Sequence, residues 1–358
     1  MGQTSITTVI GDIMASTLPD VRQEVVDNIH KNNVFLAKLN MKGKRKTFDG
    51  GAEIRRTVEY AKNNTTSSFS HWDVNPIQPQ ETMTDAVFYP KNYAANWSVS
   101  WEEERKNAGS EHKIRDVVEQ KKTSMERSFS EDISEDILNP ASFTSVGNSG
   151  KDVTPLTMLV SKAALTVGSI SESSNSWWAP QRKQSSSASN TAKAGSAIKK
   201  ELRNFFNTCG KFKDGFPDFL LASQLAYELY ESILDDKVRY TDPKGVATLG
   251  FQSLMFKTAE MTWDQLVPGS STGNTTGFVA YDSGSYAEES IFFLNTKYLY
   301  LMVDSGADFV MTPAVSHQVN GQYGTSGAIL ARMEFAVTNR RAQGIYYGLD
   351  ESAVTLTT

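Results

Sequence analysis

The chain has 358 residues with 36 basic and 41 acidic side chains, a formal net charge of −5; that length predicts about two or three sub-domains, and the acidic balance argues against a dedicated nucleic-acid binder. With 39% hydrophobic and 22% charged residues it reads as a folded chain rather than a disordered one. Its single cysteine, Cys209, makes no intrachain disulfide, which fits a reducing cytoplasm, and the sequence shows neither a run near the ~18 apolar residues of a membrane span nor a signal peptide in MGQTSITTVI.

Residues 1–46 read as an arm. Scattered apolar residues are split by Pro19 and run into the basic cluster Lys38, Lys42, Lys44, Arg45 and Lys46. That cluster is either a solvated turn or an electrostatic contact with a polyanion. From residue 50 to 101 the period becomes two: Ile54, Arg56, Val58 and Tyr60 alternate with Glu53, Arg55, Thr57 and Glu59. A second alternation carries Tyr93, Ala95, Trp97, Val99 and Trp101, and the stretch between, with Asn63, Asn64, Trp72, Pro76 and Pro79, is polar and turn-like. The expectation is one long hairpin pairing 54–60 with 93–101 around an elaborate tip. A two-stranded ribbon is marginal in water by itself, so a projecting one needs another molecule to pack on.

Residues 110–139 predict one long helix. Ser110 is placed as N-cap, Pro140 stops it, and Ile114, Val118, Met125, Phe129, Ile133 and Ile137 form an apolar stripe. The opposite face, with Glu119, Lys122, Glu126, Arg127, Glu131 and Asp132, is charged. Residues 140–195 are loop-rich, with 157–160 and 163–167 as short strands and the Ser-rich 184–190 as a mobile loop. Next come an amphipathic helix over 197–209, a strand at 219–222, and a helix over 223–236. Strands follow near 254–257 and 291–294, the alternation of an α+β or α/β sub-domain. A well-marked strand over 329–337 alternates Ile329, Ala331, Met333, Phe335 and Val337 with Leu330, Arg332, Glu334, Ala336 and Thr338.

Nothing here spells out an active site. His30, His71, His112 and His317 stand far apart and in no zinc-ligand spacing. Gly269-Ser270-Ser271-Thr272-Gly273 matches a nucleophile elbow in letters, but loop composition on both sides denies it the strand and helix that chemistry needs. Gly147-Asn148-Ser149-Gly150-Lys151 lacks the phosphate-loop spacing, with Ser145 and Asp152 at the positions that decide it. Carboxylate neighbours such as Glu102 and Glu104 are too common to indicate acid–base catalysis. No catalytic, cofactor-binding or metal-binding residue is assigned.

The order of elements resembles the major capsid protein of tailed bacteriophages, the Hong Kong 97 fold. Local stretches agree: Phe292-Phe293-Leu294-Asn295-Thr296-Lys297-Tyr298-Leu299, Asn339-Arg340-Arg341-Ala342-Gln343-Gly344, and Val167-Gly168-Ser169-Ile170 followed by Trp177-Trp178, with Ser169 in place of a second glycine. The resemblance implies an α+β fold with an N-terminal arm (1–49), an extended β-hairpin loop (50–101), and a peripheral domain with a spine helix at about 110–139 and a loop-rich insertion (102–195). An axial domain (196–326) and a C-terminal strand completing the peripheral domain (327–358) follow. It further implies a non-enzymatic shell protein that forms pentamers and hexamers around double-stranded DNA without sequence-specific binding. Intersubunit contacts are expected at Lys44, Arg45, Arg55, Arg56, Tyr60, Trp72 and Met83. Scaffold, portal or decoration proteins are further partners, membranes are not, and the location is the virion after assembly in the host cytoplasm. Two rivals stand beside it: an encapsulin-like nanocompartment shell, and a loop-rich hydrolase using Ser271 or a carboxylate pair.

Overall fold

A computed structural model describes residues 34–74, 77–106, 117–138, 144–185, 193–211, 215–233, 253–267, 289–316, 323–349 and 354–355. Helices run at Val34–Met41 (α1), Trp101–Lys106 (α2), Val117–Leu138 (α3), Leu156–Leu159 (α4), Gly195–Cys209 (α5) and Gln224–Ser232 (α6). Strands come first at Arg45–Phe48 (β1), Ile54–Glu59 (β2), Met83–Phe88 (β3), Lys91–Ser100 (β4), Thr166–Val167 (β5) and Ile170–Ser171 (β6). Then come Gln181–Gln184 (β7), Lys193–Ala194 (β8), Phe219–Ala222 (β9), Leu254–Phe256 (β10), Ala259–Trp263 (β11) and Glu289–Leu294 (β12). The last are Leu299–Asp304 (β13), Val310–Met311 (β14), Val315–Ser316 (β15), Gly324–Val337 (β16), Gly344–Leu349 (β17) and Val354–Thr355 (β18). No helix among the described residues is long and apolar enough to cross a membrane.

The chain divides into two units. The smaller comprises Met1–Lys31, Ala95–Ser128 and Thr312–Ala328, of which 95–106, 117–128, 312–316 and 323–328 are described. Within it β4 pairs with β16, and β15 pairs with β16 at Val315↔Ser326 and Ser316↔Thr325. Gly327 is required there, because a Cβ would stand 2.7 Å from the Trp97 indole nitrogen. Helix α2 opens with a reciprocal capping box: the Glu103 amide donates to Ser100 Oγ at 3.3 Å, and the Ser100 amide to Glu103 Oε2 at 3.1 Å.

The larger unit comprises Asn32–Ala94, Phe129–Met311 and Ile329–Thr358. One sheet sets β1 parallel to β13, β13 antiparallel to β16, and β14 on the far side of β16. The other runs β10-β11-β9-β12-β17-β7. Its main core gathers α5 and α6 (Leu202, Phe205, Phe206, Tyr227, Tyr230) with Phe256, Met261, Ile291, Phe293 and Tyr346. Phe205 meets Phe293 edge-on at 5.0 Å, a preferred aromatic geometry. The stripe on α3 is buried as expected at Met125, Phe129, Ile133 and Ile137, while Ser110 and Ile114 lie outside the described residues, as does the side chain of Val118.

The structure corrects several expectations. Strand β2 pairs not with 93–101 but with β3, in six antiparallel pairs from Ile54↔Phe88 to Glu59↔Met83. The alternation in β4 does mark a half-buried strand, with Trp97 and Val99 inward, but periodicity records a face and not a partner, and the nearer segment closes the smaller loop. Residues 157–160 are not a strand; α4 takes the first three and Val160 follows it, since so short a run carries no period that separates helix from strand. Nor is 34–48 an arm. Phe35 and Leu39 are buried, Lys38 pairs with Glu260, and β1 is a sheet strand; residues 1–33 lie outside the described residues. Finally, β16 runs through 326–327, and the sheet built on β9, β10, β11 and β12 recruits β7 and β17 from outside 196–326.

The three segments that carry the resemblance form one connected network. Asn295 and Asn339 each cap a one-turn 3₁₀ helix through their side-chain oxygens. Gln343 then clasps Asn295, accepting from its amide at 2.8 Å and donating to its carbonyl at 3.0 Å. Arg340 is fully buried, reaching Leu159 O, Ser161 Oγ and Glu172, with its guanidinium 5.9 Å over the Trp178 ring. Trp178 donates from its indole to Val167 O at 2.9 Å. Gly168 and Ser169 turn β5 into β6 with φ of 61° and 62°, so the serine stands in a backbone conformation that favours glycine.

Candidate assembly surface

The hairpin β2–β3 is anchored at its base and bare at its tip. Ile54, Ala86 and Phe88 are buried, Val87 donates to Gly168 O at 2.9 Å, and Tyr60 stacks on Trp177 with ring centroids 5.2 Å apart. Beyond that base the backbone closes on itself through short side-chain turns. Thr65 N donates to Asn63 Oδ1 at 2.8 Å, and Ser70 N to Asp73 Oδ2 at 2.7 Å. The apolar side chains of this region face solvent: Trp72 is 91% exposed and Val74 and Ile77 are each 94%, with Phe69 and Met83 exposed beside them in sequence. Reading the tip as polar missed Phe69, Val74 and Ile77; their single apolar letters among Ser, Asn and Pro form no period.

Clustered exposed apolar residues of this kind mark interaction surfaces. Burying five such side chains at ~1.5–3 kcal/mol each contributes on the order of 10 kcal/mol before association costs.

The structure separates the seven expected contact residues. Trp72 is exposed on the tip and Met83 at the tip-side end of β3, and Arg55 points outward at the hairpin base, paired with its near neighbour Glu53. The other four are engaged by their own chain. Lys44 donates to Lys297 O at 3.3 Å and lies over the Tyr300 ring, its ammonium pKa lowered by burial and then by Lys46. Arg45 pairs with Asp308 and lies over Phe309. Arg56 reaches Met302 Sδ at 2.9 Å and the Tyr300 ring, and Tyr60 holds Trp177. Of the basic cluster, Lys38 is buried against Glu260, a position set by tertiary packing that its charge alone does not reveal.

The described residues contain no group of three His, Cys, Asp or Glu placed to hold a metal ion. Burial pushes the Cys209 thiol up to about 12, far from a reactive thiolate. His71 sits on the exposed tip beside Trp72, and Asn148 and Ser149 turn left-handed, not as a phosphate loop. The Gly269–Gly273 stretch, with Ser271, lies outside the described residues, as do His30, His112 and His317.

No family model and no curated protein matches the sequence. Solved structures do match. The architecture is an α+β fold of the Hong Kong 97 type. In particular it is similar to a chain of the cyanophage A-1(L) capsid asymmetric unit, with a TM-score of 0.62, 13% identity, and coverage of 92% of this chain and 96% of that one. It is also similar to the capsid of the myovirus XM1 (TM-score 0.54, 9% identity, 97% and 99% covered). A holo-SrpI encapsulin complex from Synechococcus elongatus PCC 7942 gives a TM-score of 0.53 at 8% identity, with 100% and 99% covered. At these identities the likeness is one of fold.

Proposed function

We propose that this chain is the major capsid protein of a tailed bacteriophage, a non-enzymatic subunit that self-assembles into an icosahedral shell around double-stranded DNA. The observation that carries the reading is the joint one: a fold shared end to end with capsid chains, and a hairpin tip whose large apolar side chains its own subunit leaves uncovered. In this reading α3 is the spine helix of a peripheral domain that β16 completes. The hairpin is the extended loop, the sheet with α5 and α6 is the axial domain, and the arm shortens to the residues before Val34. Closed rings of five and six subunits build the shell. DNA is held without sequence readout, and scaffold, portal or decoration proteins join at assembly in the host cytoplasm. The mature location is the virion.

Expression of the full chain followed by electron microscopy tests this. Uniform icosahedral particles support it; a monodisperse small species at every concentration sinks it. The full-length likeness to an encapsulin favours one second reading, a nanocompartment shell with protein cargo. Nuclease-treated particles recovered from a phage-producing culture separate the two, since protected DNA of uniform length belongs only to the capsid. The rival loop-rich hydrolase predicts a soluble small oligomer and gives the exposed tip no purpose.

A further inference from the structure

Residues 147–154, within the larger unit, are held in an unusual way. Asn148 and Ser149 have left-handed backbones at φ 47° and 56°, and Gly150 follows at 86°; side chains other than glycine rarely adopt two such conformations in succession. Lys91 Nζ donates to the Gly150 carbonyl. The Lys151 and Asp152 amides turn back onto the Gly147 carbonyl, and the two amides after them are each gripped by an arm that ends in a carboxyl group. Val153 N–H donates to Tyr93 Oη at 2.8 Å, and the Tyr93 hydroxyl donates in turn to Asp136 Oδ2 of α3 at 2.8 Å. Thr154 N–H donates to Glu334 Oε1 of β16 at 2.9 Å, and the same oxygen accepts from Phe335 N–H at 3.0 Å. Glu334 is 1% exposed, and its second oxygen, Oε2, has no partner among the described residues. A carboxylate in that setting is costly when charged.

We propose that this arrangement is a proton-controlled clamp: with Glu334 and Asp136 neutral, residues 147–154 are held onto α3 and β16, and ionisation of the two carboxyl groups releases them. Burial sets the direction. It holds Glu334 up at about 7, against the Thr154 amide and hydroxyl, the Phe335 amide and the Lys91 ammonium, which favour its ionised form. Burial likewise holds Asp136 up at about 6; the Tyr93 hydrogen bond opposes this, and Asp152 on the segment itself, with Asp132 and Glu135 on α3, reinforces it. Both values lie above the ordinary 4.5 and 3.8, so the clamped form binds protons that a released form gives up. The clamp is therefore tightest below about pH 4, where both forms are protonated, and loosens progressively as pH rises to about 7, with little further change above. Ionisation also sets new negative charge beside Asp152, which repels the segment directly.

Hydrogen–deuterium exchange of the full chain, read on peptides covering 147–160 at about pH 5.5 and pH 8, tests the clamp once intrinsic exchange rates are divided out. The local opening constant should rise roughly tenfold or more over that interval, while peptides covering β9 stay flat. Glu334→Gln and Asp136→Asn should each reduce the rise. A flat wild-type profile at 147–160, a parallel rise in β9, or full pH dependence retained in both variants would overturn the proposal. Should Glu334→Gln fail to fold, the wild-type titration and Asp136→Asn make the same decision.

Discussion

Phe205, Phe206, Phe256 and Phe293 inside the main core and Phe69, Trp72, Val74 and Ile77 on the hairpin tip are the same kinds of side chain in opposite surroundings. The first set is at most 4% exposed; the second is between 69% and 94% exposed. Composition does not distinguish them. What differs is whether the chain itself brings up a second surface. Helices α5 and α6 close over one face of the sheet β10-β11-β9-β12-β17-β7, whereas the tip is a loop whose turns satisfy only their own backbone. One region stabilises the subunit; the other is fitted to stabilise an assembly.

That contrast breaks if core and tip substitutions have similar effects on the unassembled subunit. Phe293→Ala should lower unfolding stability by about 3–5 kcal/mol in denaturant titration, because its ring contacts Phe205, Phe206 and Phe256 and leaves a cavity. Phe129→Ala should cost about 3 kcal/mol or more, since Tyr93 and Phe309 pack edge-on against that ring; Glu126→Ala, on the exposed face of α3, should cost under about 0.5 kcal/mol.

Deletions sharpen the boundary of the body. Lys38→Ala should cost about 3 kcal/mol by removing the buried ammonium that faces the Glu260 carboxylate. Removing residues 1–41 should therefore unfold the subunit at far lower denaturant than removing residues 1–33. A smaller effect of opposite sign is expected at the β5–β6 turn: Ser169→Gly should raise stability by about 1 kcal/mol, since glycine takes the left-handed conformation without a Cβ penalty. The smallest change in the subunit belongs to the tip. Trp72→Ser with Ile77→Ser should move the unfolding midpoint by under about 0.5 kcal/mol and yet abolish particles in electron micrographs. Normal particles from that double variant would remove the tip from the interface.

Much of this was legible in the sequence. The stripe Met125, Phe129, Ile133 and Ile137 reports the buried face of α3 directly, because a 3.6-residue period has few other causes. The alternation in β16 did the same for a strand, although Glu334 and Ala336 on its other face are buried too. The candidate surface was less legible: of the seven residues expected there, Trp72 and Met83 are exposed, while Lys44, Arg45, Arg56 and Tyr60 are engaged by Lys297, Asp308, Met302 and Trp177, partners between 117 and 263 positions away.

The amino-acid order by itself determined the longer local states: the helical stripe of α3, the alternation of β2, β4 and β16, and where Pro and Gly interrupt them. Those properties depend on neighbours within a turn or two. Only the tertiary structure decided that β4 joins β16 instead of β2, that residues 34–48 belong to the body, and that two carboxyl groups converge on Val153 and Thr154. Each of these depends on closing long loops, and the free energy of closure is weighed against packing that no local period encodes.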